Sequence, residues 1–249
     1  QSELESALDS ISRHIIGHET DFDFNGEVKI AIDRILLPRE NKITGIPTGN
    51  SQLTDILNGF NAPNLILLAA RPGMGKTTRA IQFALQAALN GKNIAFFSME
   101  MSMEEIIGEI INHISGVDSD SIKYQAFFGE DITRITDCQY ILKDKGFYIN
   151  DKSGISPNYI KTICRGLKRK DKLDMIFIDY IQLMNANEKY RDAEPRISRI
   201  SIALKALAKE LQVPIIALSQ LNRDCEARTN KRPMPSDLKH HGQLEQDAD

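Results

Sequence analysis

The amino-acid sequence predicts a doubly wound α/β domain built on a mostly parallel sheet flanked by helices. Three observations carry that prediction. Apolar runs such as "NLILLAA" and "LDMIFIDY" are continuous rather than alternating, as in strands buried on both faces. Between the runs lie longer segments with helical spacing and recognisable start signals. Polar residues gather where the apolar runs stop, and sheets of this kind bind ligands at the carboxyl ends of their strands.

Taken in order, residues 1–37 read as a polar helix, a loop and a second helix. In "GEVKIAIDRILL" Val28, Ile32, Ile35 and Leu36 fall at helical spacing, and Pro38 with "RENK" ends the pattern. Residues 1–40 are therefore expected to form a linker region, either packed or acting as an arm that docks on a neighbouring subunit, and residues 41–249 the main domain. "NLILLAA" is the first strand. A helix is expected over Thr77–Asn90, with Gly91 as its cap. "NIAFFS" is a second strand, and Ser102 to Glu105 form a capping box that opens the next helix. "GFYIN" reads as a short strand. Ser156-Pro157 opens another helix, since proline is tolerated at the first position. "LDMIFIDY" is a strong strand, Arg196 to Leu211 a helix, and "VPIIALSQ" a further strand. The alternation is that of a parallel α/β sheet.

Bulk properties narrow the function classes. The chain has 249 residues and a formal net charge of −3, so a nucleic-acid surface must be local rather than global. No apolar run has the roughly 20 residues of a membrane helix, no signal peptide opens the chain, and no membrane partner is expected. Cys138, Cys164 and Cys225 lie far apart without C-x-x-C spacing, which suggests reduced thiols and a cytoplasmic setting, not a metal cluster. The first residue is Gln rather than Met, as expected of an excerpt from a longer chain.

"ARPGMGKTT", residues 70–78, follows the first strand. The phosphate-binding pattern G-x-x-x-x-G-K-[ST] is met at Gly75, Lys76 and Thr77, with Ala70 in place of the first glycine. Ala70, Arg71, Pro72, Gly73, Met74, Gly75, Lys76, Thr77 and Thr78 are the expected nucleotide contacts. Backbone N–H groups of the loop and helix would wrap phosphates, Lys76 would add charge, and Thr77 a hydroxyl for Mg²⁺. Ala70 is compatible if its backbone angles are open to alanine. Asp179 ends "MIFID" in the Walker-B manner and would support Mg²⁺ beside Thr77. Glu100, after "FFSM", can orient or deprotonate an attacking water. Gln220 closes "IIALSQ" and can sense a terminal phosphate. Alone, Asp179 reads better as a residue that ends a strand and caps a turn, and beside a phosphate loop that reading becomes the weaker. Glu100 and Gln220 can each also be read as a solvated strand-end group, but at the ends of one sheet the three form a constellation. "KRKDK" at Lys168–Lys172 reads as a solvated helix end. Adjacent His240 and His241 rarely face one metal ion. "NANEKYRDAEPR", Asn185–Arg196, reads as a polar, proline-broken loop.

Together "TGIPTGNSQLTDILNGF", "AARPGMGKTT", "FFSMEMS", "IDYIQLM", "ALAKELQVPIIALSQLNR" and "KRPMPSDLKHHGQLEQDAD" resemble the RecA-like motor domain of DnaB-type replicative DNA helicases, over roughly residues 43–249. In that family the phosphate loop also begins with Ala. The resemblance implies a RecA-like fold and a homo-hexameric ring that hydrolyses ATP or another NTP with Mg²⁺ and moves along single-stranded DNA, of the 5′-3′ type. It implies primase and a helicase loader as partners, in a bacterium or a phage-infected one. By position it makes Lys76 and Thr77 phosphate and Mg²⁺ ligands, Asp179 the Mg²⁺ support, Glu100 the catalytic carboxylate and Gln220 the sensor. "DLKHHG" corresponds to a DNA-contacting loop including Lys239, His240 and Gly242. The family form is closer to D-L-R-E-S-G, so Lys239 keeps a charge but loses the planar fork of arginine. The family's arginine finger and final strands would lie beyond Asp249. Two other readings stay open: a nucleotide-gated module that docks on a replication factor, and a RecA-type recombinase, against which "SDLKHHGQLEQDAD" argues.

Overall fold

The computed structural model describes residues 23–36, 43–185, 193–222, 225 and 228–249. By its contacts the chain divides into residues 1–42 and 43–249. In the first unit a single described helix, α1, spans Phe24–Leu36. Phe24, Val28, Ile32 and Leu36 recur every four residues along it and are exposed. The polar helix and the break expected around this element fall on residues outside those described.

The second unit holds a five-stranded sheet in the order β1-β5-β4-β2-β3, with every pairing parallel. The strands are β1 (Leu65–Ala70), β2 (Ile94–Ser98), β3 (Phe147–Asn150), β4 (Met175–Asp179) and β5 (Ile215–Gln220). The helices are α2 (Ser51–Leu57), α3 (Lys76–Leu89), α4 (Met103–Ser115), α5 (Ser119–Lys123), α6 (Gly129–Leu142), α7 (Pro157–Lys168), α8 (Ala193–Leu211) and α9 (Gly242–Asp247). Short 3-10 helices follow β4, at Ile181–Leu183, and precede α9, at Pro235–His241. The strands and the α3, α4, α7 and α8 helices stand where the sequence places them. Helices α2, α5 and α6 are not among the elements placed from the sequence, although Asn50 and Asp118 cap the first two through their side chains.

Continuous apolar strands bury both faces, because successive side chains point to opposite sides. Ala95, Phe97, Ile176, Ile178, Ile215 and Ala217 pack one face against Ile160 and Cys164 of α7 and Ile200, Leu204 and Leu207 of α8. Ile94, Phe96, Met175, Phe177, Ile216 and Leu218 pack the other against Ile81, Ala84 and Ala88 of α3 and Ile106 and Ile110 of α4. Phe96 and Phe177 stack across adjacent strands with centroids 5.6 Å apart. Burial drives the Cys164 thiol up to about 12, so it is an inert core residue. Glu210 of α8 accepts from Lys161 and Arg165 of α7, chiefly Arg165, and its carboxyl is held below the usual range.

Two helix starts differ from the sequence reading. α8 begins at Ala193, three residues before Arg196, and so takes in the end of the expected Asn185–Arg196 loop. Pro195 falls in the first turn, where no intrahelical N–H bond is lost. α3 begins at Lys76, one residue early, and Gly91 takes the left-handed conformation past its C-cap, Asn90.

Candidate functional site

Because the sheet is parallel, the carboxyl ends of its strands lie along one edge. The register sets which ends are neighbours: Ala70 of β1 lies opposite Gln220 of β5, and Ser98 of β2 opposite Asp179 of β4. The N–H of Met99 donates to the carbonyl of Asp179 at 2.7 Å, which carries the pairing one residue past β2. Glu100 is the next residue, exposed at the rim.

The phosphate loop runs from Ala70 to Thr78. Ala70 is the last residue of β1, in the extended conformation of the strand, with its carbonyl accepting from Leu221 N–H at 3.0 Å. The substitution of Gly by Ala is thereby explained, since nothing at this position demands a positive φ. The demand for glycine falls instead on Gly73 and Gly75, with φ of 72° and 73°. Arg71, Pro72, Gly73 and Met74 form the turn, closed by a Met74 N–H to Arg71 carbonyl bond of 3.3 Å. Gly75 is the N-cap of α3 and offers no side chain to it, and the first turn, with Thr78, has no acidic residue. The leading N–H groups of α3 are thus left for an anion.

Lys76, Thr77 and Asp179 meet. Thr77 Oγ1 donates to Asp179 Oδ2 at 2.6 Å, and Lys76 Nζ lies 3.4 Å from Asp179 Oδ1 and 4.1 Å from the centre of the Tyr180 ring. Asp179 is fully buried, and its Oδ1 has no hydrogen-bond partner. A buried carboxylate with one oxygen on a threonine hydroxyl and the other held only by the longer Lys76 ion pair offers the oxygen donors a hydrated Mg²⁺ would use, so the donors fit the ion. The Tyr180 hydroxyl is pushed above its ordinary value first by burial and then by the negative charges of Glu100 and Asp179. Glu100 therefore acts electrostatically on Tyr180, the ring that lies beside Lys76. Gln220 ends β5 with an exposed side chain, level with Ala70.

Lys239 and His240 fall in the 3-10 helix before α9, and Gly242 opens α9. Their side chains lie outside those described. The approach to this segment is fixed. Asp237 is buried, accepts from Arg228 and from Met234 N–H, and gives its carbonyl to Asn222 N–H at 3.2 Å. Its carboxyl is lowered mainly by the Met234 N–H and further by Arg228. Among the described residues no group of three or more His, Cys, Asp or Glu is placed to hold a metal ion, and no helix is long and apolar enough to cross a membrane.

Sequence reasoning did not single out Tyr180, Gln182, Arg228 or Asp237. Gln182 donates to Ser219 Oγ at 3.0 Å and reaches both peptide groups of Gln220. A glutamine three residues past a strand end carries no signal that separates it from a surface one. The proximity of Arg228 to Asp237 depends on the fold of the segment between them.

Residues 45–249 match the family described as the DnaB-like helicase C terminal domain. The chain is 40% identical over 213 residues to the replicative DNA helicase DnaB of Geobacillus stearothermophilus, covering 85% of this chain and 47% of that protein. The replicative DNA helicase DnaC of Bacillus subtilis shows the same identity and coverage. The chain thus spans about half the length of the curated relatives it matches. Among solved structures, one described as an ATPase domain superposes with a TM-score of 0.87 at 36% identity, over 92% of this chain and 82% of that one. A DnaB-like replicative helicase, described with its interactions with primase, gives 0.83 at 36% identity, over 90% of this chain and 54% of that one.

Proposed function

Since the chain belongs to the DnaB-like helicase C-terminal domain family, we propose that it is the motor segment of a replicative DNA helicase: an NTPase that drives movement along single-stranded DNA as a homo-hexameric ring. The observation that supports this most is the meeting of Lys76 and Thr77 with Asp179, at 3.4 and 2.6 Å, on a strand edge that also presents Glu100 and Gln220.

In this reading the N–H groups at the start of α3 and the Lys76 ammonium bind the β- and γ-phosphates of ATP or another NTP. Thr77 and Asp179 hold Mg²⁺, which when bound would neutralise charge on the phosphate oxygens. Glu100, exposed and two residues beyond β2, orients a water in line with the γ-phosphate and draws off its proton. Gln220 contacts the γ-phosphate through its amide, and the bond from Asn222 N–H to Asp237 passes a change there towards Lys239, His240 and Gly242. These last residues offer backbone N–H groups and one ammonium to DNA phosphates, a mode that carries little sequence information. The exposed Phe24, Val28, Ile32 and Leu36 of α1 supply an apolar stripe for the neighbouring copy in the ring. Primase and a helicase loader are the partners this assignment entails, and the bacterial cytoplasm, under host or phage control, is its setting.

Single-turnover ATP hydrolysis by the full-length protein, with and without single-stranded DNA, tests the assignment. DNA-stimulated hydrolysis is expected. Nucleotide binding without hydrolysis in either case would replace the motor with a nucleotide-gated docking module. Affinity for single-stranded DNA across a salt series should fall for Lys239→Ala by a similar factor on unrelated sequences, with a shallower salt slope. An unchanged slope would remove this segment from the DNA path.

A further inference from the structure

The end of β5 is held on its two edges by different devices. Towards β1 it keeps the ladder, with Ala70 opposite Gln220 and Leu221 N–H donating to the Ala70 carbonyl. Towards β4 the ladder stops at the pair Ile178–Ala217. β4 then turns into the 3-10 helix Ile181–Leu183, and a side chain from that helix takes the place of the missing rungs. The Gln182 amide donates to Ser219 Oγ at 3.0 Å and to the Gln220 carbonyl at 3.3 Å, and its oxygen accepts from Gln220 N–H at 3.4 Å. Both backbone groups of residue 220 are thus satisfied by one carboxamide. The backbone carbonyl of Gln182 in turn accepts from Arg196 Nη2 of α8 at 3.1 Å.

A sensing side chain reports a phosphate only if its own backbone does not yield first. A primary amide is the one neutral side chain that can mimic a peptide group, accepting with its oxygen while donating with its nitrogen. A carboxylate in its place would accept but not donate. Resting on the reading of Gln220 as the phosphate sensor, we propose that Gln182 is its positioning residue, fixing the backbone of Gln220 against the Asp179 strand and tying it through Arg196 to the start of α8.

The test is a double-mutant cycle in the full-length assembled protein, with ATP as the probe and kcat and KM read separately, with and without single-stranded DNA. Gln182→Ala should lower kcat by about tenfold, within the range for slightly misplaced groups, with KM for ATP changed by less than about twofold. In a Gln220→Ala background the same change should cost almost nothing more, because residues that act through one another are not additive. Gln182→Glu, of the same shape, keeps the acceptor and loses the donor, and should fall between; it carries the cycle if the alanine variant does not fold. Wild-type kcat for Gln182→Ala, or a loss that multiplies with that of Gln220→Ala, would overturn the positioning role while leaving the sensor intact. A harmless Gln220→Ala would sink the sensor, and this proposal with it.

Discussion

Helices α3 and α4 both start from the carboxyl edge of the sheet, after β1 and β2, yet their first turns are built in opposite ways. α4 is closed. Ser102 Oγ accepts from Glu105 N–H at 3.2 Å, Glu105 Oε2 accepts from Ser102 N–H at 2.7 Å, and Asp151 accepts from Met103 N–H at 2.9 Å. Two acids, Glu104 and Glu105, sit in that first turn against the positive end of the helix dipole. α3 has none of this: its cap is Gly75, with no side chain to bond and no acid in the turn. The difference teaches where stability and binding part ways. A helix start that satisfies its own donors adds to the stability of the domain. One that leaves them open gives up that gain, and its donors and dipole are available to an external anion.

The sharpest way to break the comparison is at the open end. Lys76→Ala is expected to abolish ATP hydrolysis and to weaken nucleotide binding about 10- to 100-fold, the scale of a lost charge-assisted contact. Titration calorimetry with ATP, beside a steady-state hydrolysis assay, checks both, and wild-type affinity would move the site elsewhere. Next in size is Glu100→Gln. Charge is removed and shape kept, so kcat should fall about 100-fold or more while nucleotide affinity stays near wild type. Near-normal turnover would make Glu100 a bystander.

At the closed end the readout changes from turnover to stability. Ser102→Ala should cost about 1 kcal/mol and lower the melting temperature by about 2–4 °C in a domain of this size. ATP affinity should not move; a loss of affinity without a loss of stability would erase the contrast between the two helices. The smallest effect is one of pH. Ser102 N–H, and secondarily its hydroxyl, holds the Glu105 carboxyl below the ordinary glutamate value. A depressed folded pKa gives stability that is complete above the unfolded value and is lost as the pH falls through the folded one. The stability gap between wild type and Glu105→Ala, measured by urea unfolding, should therefore be flat around neutrality and narrow in acid below the ordinary glutamate range. A gap independent of pH would show that the carboxylate contributes nothing as a charge.

What the sequence made legible follows from how local each signal is. The β2, β4 and β5 strands could be read because burial on both faces leaves an unbroken apolar run, and β1 because its run is equally apolar although most of it is only half-buried at the sheet edge. Helices α4 and α7 could be read because Ser102 and Ser156 cap within three residues of themselves. Gly75, Lys76 and Thr77 were legible because their chemistry is contiguous. Asp179 was legible only as a strand end, and its distance to Thr77 had to come from the β1-β5-β4 order of the sheet. Helix α6 was not legible. Its exposed side carries Ile132, Tyr140 and Ile141, which blurs the contrast between faces on which periodicity depends. Gln182 was hidden for a different reason, since it acts on Ser219 and on the backbone of Gln220, which come near only after folding.

The place of Ala70 in the β1 ladder bears on how phosphate loops are found. Positions in a consensus are usually weighted by how often a letter recurs, whereas here the backbone divides them by need. Residue 70 is an ordinary strand residue, and any small side chain that tolerates an extended conformation can stand there. Residues 73 and 75 are not ordinary, because their φ values of 72° and 73° lie in the left-handed region that favours glycine and that L side chains rarely adopt. A search pattern that insisted on the first glycine would discard this loop for a letter its geometry does not use. One written in terms of conformation would keep it.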